Sequence, residues 1–78
     1  MSDNTRWKAE RVIDAFKEAQ NMSDDFSARR HVSDAIMSLQ SEVDPQAEEF
    51  VYEAGNLLGM PGALRDGEEL RPFLDRLG

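Results

Sequence analysis

Several residue types that carry chemistry are absent or scarce in this chain of 78 residues. Cysteine is absent, which excludes a disulfide framework, a thiol nucleophile and a thiolate metal site. The single histidine, His31, has neither a nucleophile motif nor a metal-ligand spacing around it, and no glycine-rich phosphate loop is present. So small a body also leaves little room for a preorganised pocket. We therefore expect a protein that is not an enzyme, with no catalytic residue, no metal and no cofactor.

Long apolar runs are also missing. No run approaches the roughly 20 apolar residues that a membrane-spanning helix requires. The first residues, Met1-Ser2-Asp3-Asn4, are polar and lack the basic start and apolar run of a signal peptide. We therefore expect a cytoplasmic protein that has no membrane partner.

Basic residues are fewer than acidic residues in this chain. The chain has 9 basic and 16 acidic residues, and its formal net charge is -7. Such a chain is repelled by a phosphate backbone, so direct nucleic-acid binding is not expected. The imbalance is greatest in residues 44–60, which contain four acidic residues and no basic one. A basic patch on another protein is the charged partner that this composition favours.

Apolar residues recur with a helical period in the first two thirds of the chain, and no strand-like alternation occurs. Residues from about 5 to 22 form the first such segment, with an apolar stripe of Ala9, Val12, Ile13, Phe16 and Ala19. Residues from about 24 to 43 form the second, with a stripe of Ala28, Val32, Ala35, Ile36, Leu39 and Val43. Phe26 and Met37 lie to one side of the second stripe. Either this helix buries two faces, or Phe26 precedes its regular part.

A third helix is predicted over residues 45–58, and the sequence marks both of its ends. Asp44 can cap the first free amides, and Pro45 already has the φ of a first helical position. Gly59 can close the helix in the left-handed conformation, and Pro61 prevents continuation. The predicted buried stripe of this helix consists of Ala47, Phe50, Val51, Ala54, Leu57 and Leu58.

The sequence of the C-terminal tail, from Met60 to Gly78, predicts a turn followed by a short helix of about residues 72–77. Ser23 is the predicted cap of the second helix, and Asp66 with Glu69 fits a capping box before the tail helix. The residues expected to dock the tail on the other helices are Leu70, Phe73, Leu74 and Leu77. The fold class is therefore all-α: one domain over residues 1–78, with three main helices and a short C-terminal one.

Trp7 is the first candidate binding residue because it falls on the polar side of its helix, near Arg11. A large aromatic side chain on a polar face is a common anchor for a partner. Two other interpretations remain open. The helix can fray at the chain start or the tail can fold over the ring, or Arg11 can cover it in a cation–π contact.

The outer face of the third helix is the second candidate, with Glu48, Glu49, Tyr52 and Glu53. The sequence favours a small acidic protein-interaction module that binds a basic protein surface, such as a bacterial or phage regulator or accessory subunit. One alternative is a structural protein that assembles with itself, as a homodimer for example, because Phe26 and Met37 leave apolar surface to cover. The other is an inhibitor that mimics nucleic acid. A helix-turn-helix reader of DNA is disfavoured because its recognition helix would present these acids to phosphates.

Overall fold

The regular structure of this chain is helical wherever the computed structural model describes it, over residues 3–42 and 44–77. The all-α prediction is confirmed. Short 3-10 turns introduce the third and fourth helices, Pro45–Ala47 and Gly67–Leu70. The four α-helices are α1 (Asp3–Gln20), α2 (Asp25–Gln40), α3 (Glu48–Leu58) and α4 (Arg71–Asp75).

Helices α1 and α2 form an antiparallel pair over the centre of the core. Lys8 Nζ lies 2.7 Å from Glu42 at one end of the pair, and His31 Nε2 lies 2.8 Å from Glu18 Oε1 at the other. The predicted stripes are buried, with Ala35 only half-buried and Val43 outside the described residues. The buried apolar side chains of these two helices are Ala9, Val12, Ile13, Ala15, Phe16, Ala19, Ala28, Val32, Ile36 and Leu39.

Helix α3 runs back along the other flank of α2, where Arg29 joins the two helices. Its guanidinium donates hydrogen bonds of 2.9 Å to the carbonyl oxygens of Leu58 and Gly62. The last carbonyls of a helix have no partner inside the helix, and this arginine satisfies one of them. Its Nε also bonds to Asp25, one turn earlier in α2. Arg29, the first of the three consecutive residues Arg29-Arg30-His31, thus stabilises the fold.

The structure at the N-termini of the helices differs from two predictions, the Ser23 cap and the capping box of Asp66 with Glu69. Asp24, not Ser23, caps α2, because its carboxylate accepts the Ser27 amide at 3.0 Å. The capping role of Asp66 is confirmed, since its carboxylate accepts the Glu68 amide at 2.9 Å. The second half of the capping box is wrong. Glu69 turns away and binds Arg65 through both carboxylate oxygens, at 2.9 and 3.0 Å.

The end of α3 differs from its prediction as well. Gly59 has a φ of -80° and stays right-handed, with its amide donating to the Gly55 carbonyl at 3.0 Å. The left-handed glycine is Gly62, with a φ of 93°. The chain therefore completes the last helical turn before it reverses, and the reversal brings the Gly62 carbonyl to Arg29.

The tail packs against α1 through a close backbone approach at Gly67. A Cβ at this position would lie 2.5 Å from the Ile13 carbonyl oxygen and 2.8 Å from Phe16 Cβ. Only glycine fits this contact, which brings α4 across the ends of α1 and α3. Leu70, Leu74 and Leu77 are then buried as predicted, while Phe73 is half-buried.

Candidate functional site

Two large apolar side chains on α2 are exposed. Phe26 is 72% exposed and Met37 is 61% exposed, although both lie inside the regular helix. They are eleven residues apart, about three helical turns, so they share one stripe opposite the core. Both predicted explanations of their position are wrong, because Phe26 does not precede the helix and the helix does not bury a second face. No described element covers this side of α2.

This stripe borders a groove between α2 and α3, which contains two depressions. One, of about 490 Å³, has an apolar lining that includes Leu39, Ala47, Val51 and Tyr52. The other, of about 510 Å³, lies at the opposite end of the groove. We call the exposed stripe and this groove the α2/α3 face; it comprises Phe26, Arg30, Ser33, Met37, Gln40, Glu48, Val51, Tyr52 and Leu58.

The two ends of the α2/α3 face differ in charge. Glu42, Asp44 and Glu48 surround the first depression, where no basic residue contributes to the lining. The second depression is lined by Phe26 and Leu58 together with Asp25, Arg29 and Arg30. The face is therefore dipolar, with an acidic end beside the C-terminus of α2 and a basic side chain near its N-terminus.

Arg30 is unusual among the basic residues, all nine of which lie in the described part of the chain. It shares with Arg11 the lack of an ion-pair partner among the described residues. Glu48, at the acidic end of the face, also has no ion-pair partner there. Seven of the nine form ion pairs within the chain: Arg6, Lys8, Lys17, Arg29, Arg65, Arg71 and Arg76.

The predicted binding residues of α3 divide between two sides of the helix. Glu48 and Tyr52 line the α2/α3 face, where Tyr52 is 67% exposed. Glu49 turns towards the tail and lies 2.7 Å from Arg76. Glu53 follows Glu49 by about one turn, so it lies on that same side, half-buried. The acidic surface predicted for α3 is thus not one continuous patch.

Trp7 and Arg11 lie in a separate groove between α1 and α2. This groove, of about 240 Å³, also contacts His31 and Asp34 of α2. Trp7 is 58% exposed, so it lies outside the core. The predicted cation–π contact with Arg11 is absent from the described residues, where the contact found places Arg76 5.3 Å from the Phe73 ring centre.

His31 and Glu18 form a titratable pair that links α1 to α2 near Trp7 and Arg11. The hydrogen bond between His31 Nε2 and Glu18 Oε1, with the Arg11 charge nearby, holds the pKa of the Glu18 carboxyl below its usual value of 4.5. Within residues 3–42 and 44–77, no group of three metal-binding side chains occurs. The geometry of this pair gives it a role in holding two helices together.

Sequence reasoning named Tyr52 and Glu48 as binding residues and related Phe26 and Met37 only to the self-assembly alternative, and it did not assign Arg30 to the site. The available signal was that Phe26 and Met37 lie to one side of the apolar stripe of α2. The sequence does not show whether another element covers them. No local pattern distinguishes Arg30 from Arg29. Only the contact of Arg29 with the end of α3, far away in sequence, separates their roles.

Comparison with protein-family models, with curated proteins and with solved structures finds no match for this chain. None of the helices in the described residues has the length and apolar character needed to cross a membrane. A function must therefore be argued from the chemistry of the surface.

Proposed function

We propose that this protein is a small non-catalytic interaction module that binds another protein through the α2/α3 face. The observation that carries the proposal is the exposure of Phe26, Met37 and Tyr52 on this face, where Phe26 lines one depression and Tyr52 the other. Small soluble proteins seldom expose a cluster of large apolar side chains unless a partner covers it. An accessory or regulatory subunit is the role that such a module serves.

The acidic end of the face supports a partner with basic residues. Glu42, Asp44 and Glu48 stand around an apolar floor formed by Val51 and Tyr52. A lysine or arginine has an apolar stem and a cationic head, so it suits a depression that combines these two surfaces. Complementary charge also steers a partner and fixes its orientation.

Nucleic-acid mimicry is less well supported than protein binding. A mimic needs carboxylates arranged along one surface, whereas Glu49 is paired with Arg76 on another side of α3. Apolar side chains such as Phe26 and Met37 have no counterpart in a phosphate backbone. We therefore keep protein binding as the proposal.

The test is capture of partners from a lysate of the native host by immobilised protein, at low and at moderate salt. Two face variants, Met37→Ala and Glu48→Gln, are compared with two controls of the same chemistry elsewhere, Met22→Ala and Asp14→Asn. We expect each face variant to lose about tenfold in affinity, equivalent to roughly 1.4 kcal/mol, and each control to behave as wild type.

Salt provides the second part of this test. The electrostatic contribution predicts weaker retention at moderate salt, and Glu48→Gln should reduce that salt dependence. Retained proteins that respond equally to the face variants and the controls would contradict the proposal. If retention is the same at both salt concentrations, the part of the proposal that gives the partner a basic surface is wrong.

A further inference from the structure

We infer that the α2/α3 face is self-complementary and that the partner which covers it is a second copy of this chain. The inference rests on the proposed function of this face as a binding surface and goes on to name its occupant. A two-fold dimer uses the same patch on both copies, so each group on the patch must meet its complement on the other copy.

The opposite charges of the two ends satisfy this condition. Arg30 is exposed at one end of the face, and Glu48 lies at the other end beside Gln40. The ten residues from Arg30 to Gln40 correspond to roughly 15 Å at 1.5 Å per residue. This separation exceeds the screening length of about 8 Å at physiological salt, so the two ends act independently.

One symmetric arrangement pairs these ends. A two-fold axis that lies in the interface and runs obliquely across both helices places Arg30 of each copy over Glu48 of the other. Met37 then lies between the two ion pairs and is removed from water, while Phe26 lies about one helical turn beyond Arg30, at the edge of the contact. Arg30 and Glu48, which have no ion-pair partner among the described residues of one chain, each gain a partner in this dimer.

The opposite arrangement is disfavoured by charge. If the acidic ends met, Asp44 and Glu48 of both copies would come together without a basic partner among the described residues, since the nearby Lys8 is paired with Glu42. Like charges placed together across an interface are destabilising and suppress that mode of binding. The charge pattern therefore selects the orientation as well as the occupant.

The dimensions of the face suit a dimer. Helix α2 has 16 residues, which makes it roughly 24 Å long, and two adjacent helices are about 20 Å wide. Their product is roughly 480 Å², which is less than the roughly 800 Å² that each partner buries in an average specific interface, so we expect a dimer interface of the small class. Apolar burial of Phe26, Met37 and Tyr52 provides the favourable free energy, and the ion pairs fix the orientation.

Charge reversal tests the inference by sedimentation velocity and native mass spectrometry of the purified chain. We expect the wild type to be a dimer. Arg30→Glu places carboxylates opposite Glu48 at both contacts, and Glu48→Arg places two guanidinium groups opposite each other at both. Each single variant is therefore expected to be monomeric at concentrations where the wild type is dimeric.

An equimolar mixture of Arg30→Glu and Glu48→Arg is the decisive sample. In a mixed dimer both contacts again join opposite charges, so the mixture should regain the mass of a dimer that contains one chain of each variant. The controls carry the same charge changes on α1, with Arg6→Glu and Asp14→Arg, and should remain dimeric. Circular dichroism confirms that every variant is helical.

A monomeric wild type would overturn the inference, as would single variants that dimerise like the controls or a mixture that stays monomeric. These outcomes are separate from failure of the proposed function. If the chain is monomeric but Met37→Ala still loses a captured protein that Met22→Ala retains, the face binds a different protein. If the mixture forms the mixed dimer, the second copy is the partner.

Discussion

At the scale of single residues, Gly67 has the clearest structural requirement. Its hydrogen faces the backbone of α1, where a Cβ would lie 2.5 Å from the Ile13 carbonyl oxygen. Gly55 is the opposite case, with nothing within 4 Å of the Cβ position in an exposed part of α3. The two glycines therefore respond differently to the same substitution.

We predict that Gly67→Ala lowers the free energy of unfolding by about 1–3 kcal/mol, because the tail must move away from α1. Gly55→Ala, its control, should raise that free energy by about 0.5–1 kcal/mol, since alanine restricts the unfolded chain and favours the helix. Urea denaturation followed by circular dichroism measures both. Equal stability of the two variants would contradict the close approach at Gly67.

The Glu18 carboxyl provides a prediction about pH. Its pKa is held below 4.5 chiefly by the hydrogen bond with His31. A lowered pKa means that this carboxylate stabilises the fold above pH 4.5 and loses the contribution as pH falls through the folded-state value. In a His31→Ala variant, an NMR titration should show the Glu18 pKa moving up towards its usual value, while the pKa of Asp24 stays low through its Ser27 hydrogen bonds. An unchanged Glu18 pKa would rule out the pair.

Trp7 is exposed, so we predict that Trp7→Ala leaves the helical circular-dichroism signal intact and changes the free energy of unfolding by less than about 1 kcal/mol. Phe16→Ala, at a fully buried position of the same helix, should cost about 3–5 kcal/mol. Thermal and urea unfolding compare the two variants. If the tryptophan variant unfolds like the phenylalanine variant, Trp7 belongs to the core.

At the scale of helices, the joint between α2 and α3 depends on Arg29. It is half-buried and donates to two carbonyls at the end of α3. Arg65 forms a comparably short pair, but with Glu69 in its own segment and in an exposed position. The first arginine holds two elements together, whereas the second stabilises only one.

We therefore predict that Arg29→Ala lowers the free energy of unfolding by about 1.5–3 kcal/mol, since hydrogen bonds from a charged donor are lost. Arg65→Ala should change it by less than about 1 kcal/mol, the usual worth of an exposed ion pair. Amide hydrogen exchange should also become faster at the end of α3 in the first variant alone. Similar exchange in both variants would argue against an anchoring role.

Helices were the most predictable level of this fold. A 3.6-residue period identifies α1, α2 and α3. Asp44 marks a helical start by accepting the Gln46 amide, and Pro45 marks it by its fixed φ. The left-handed turn was assigned to Gly59 although it occurs at Gly62, because which glycine reverses depends on where the chain meets Arg29. The contact of Gly67 with α1 has no local signature, since it joins residues distant in sequence.

The candidate site was less predictable because it, too, depends on contacts between residues that are distant in sequence. Tyr52 and Glu48 follow from the polar side of one helix, which the sequence displays directly. Whether Met37 is covered depends on how many elements pack around α2, and that is decided by tertiary contacts. The pairing of Glu49 with Arg76 likewise joins two segments whose proximity only the fold establishes.

At the scale of the whole molecule, most of the basic side chains form ion pairs among the described residues, whereas many of the acidic ones do not. Among the described residues only Arg11 and Arg30 of the basic residues have no ion-pair partner, and Arg30 lies at one end of the α2/α3 face. Glu48, which also has no ion-pair partner there, lies at the other end. Exposed Met37 lies between them, and exposed Phe26 lies about one helical turn beyond Arg30. The central claim is that another protein chain covers this face.

The most direct measurement is photo-crosslinking with a benzophenone amino acid in place of Met37, carried out in the native host, with the same probe in place of Asp14 as the control. We predict one discrete adduct from position 37, either a doubled chain or one other protein, and none from position 14. The same diffuse products from both positions would mean that the α2/α3 face has no specific partner.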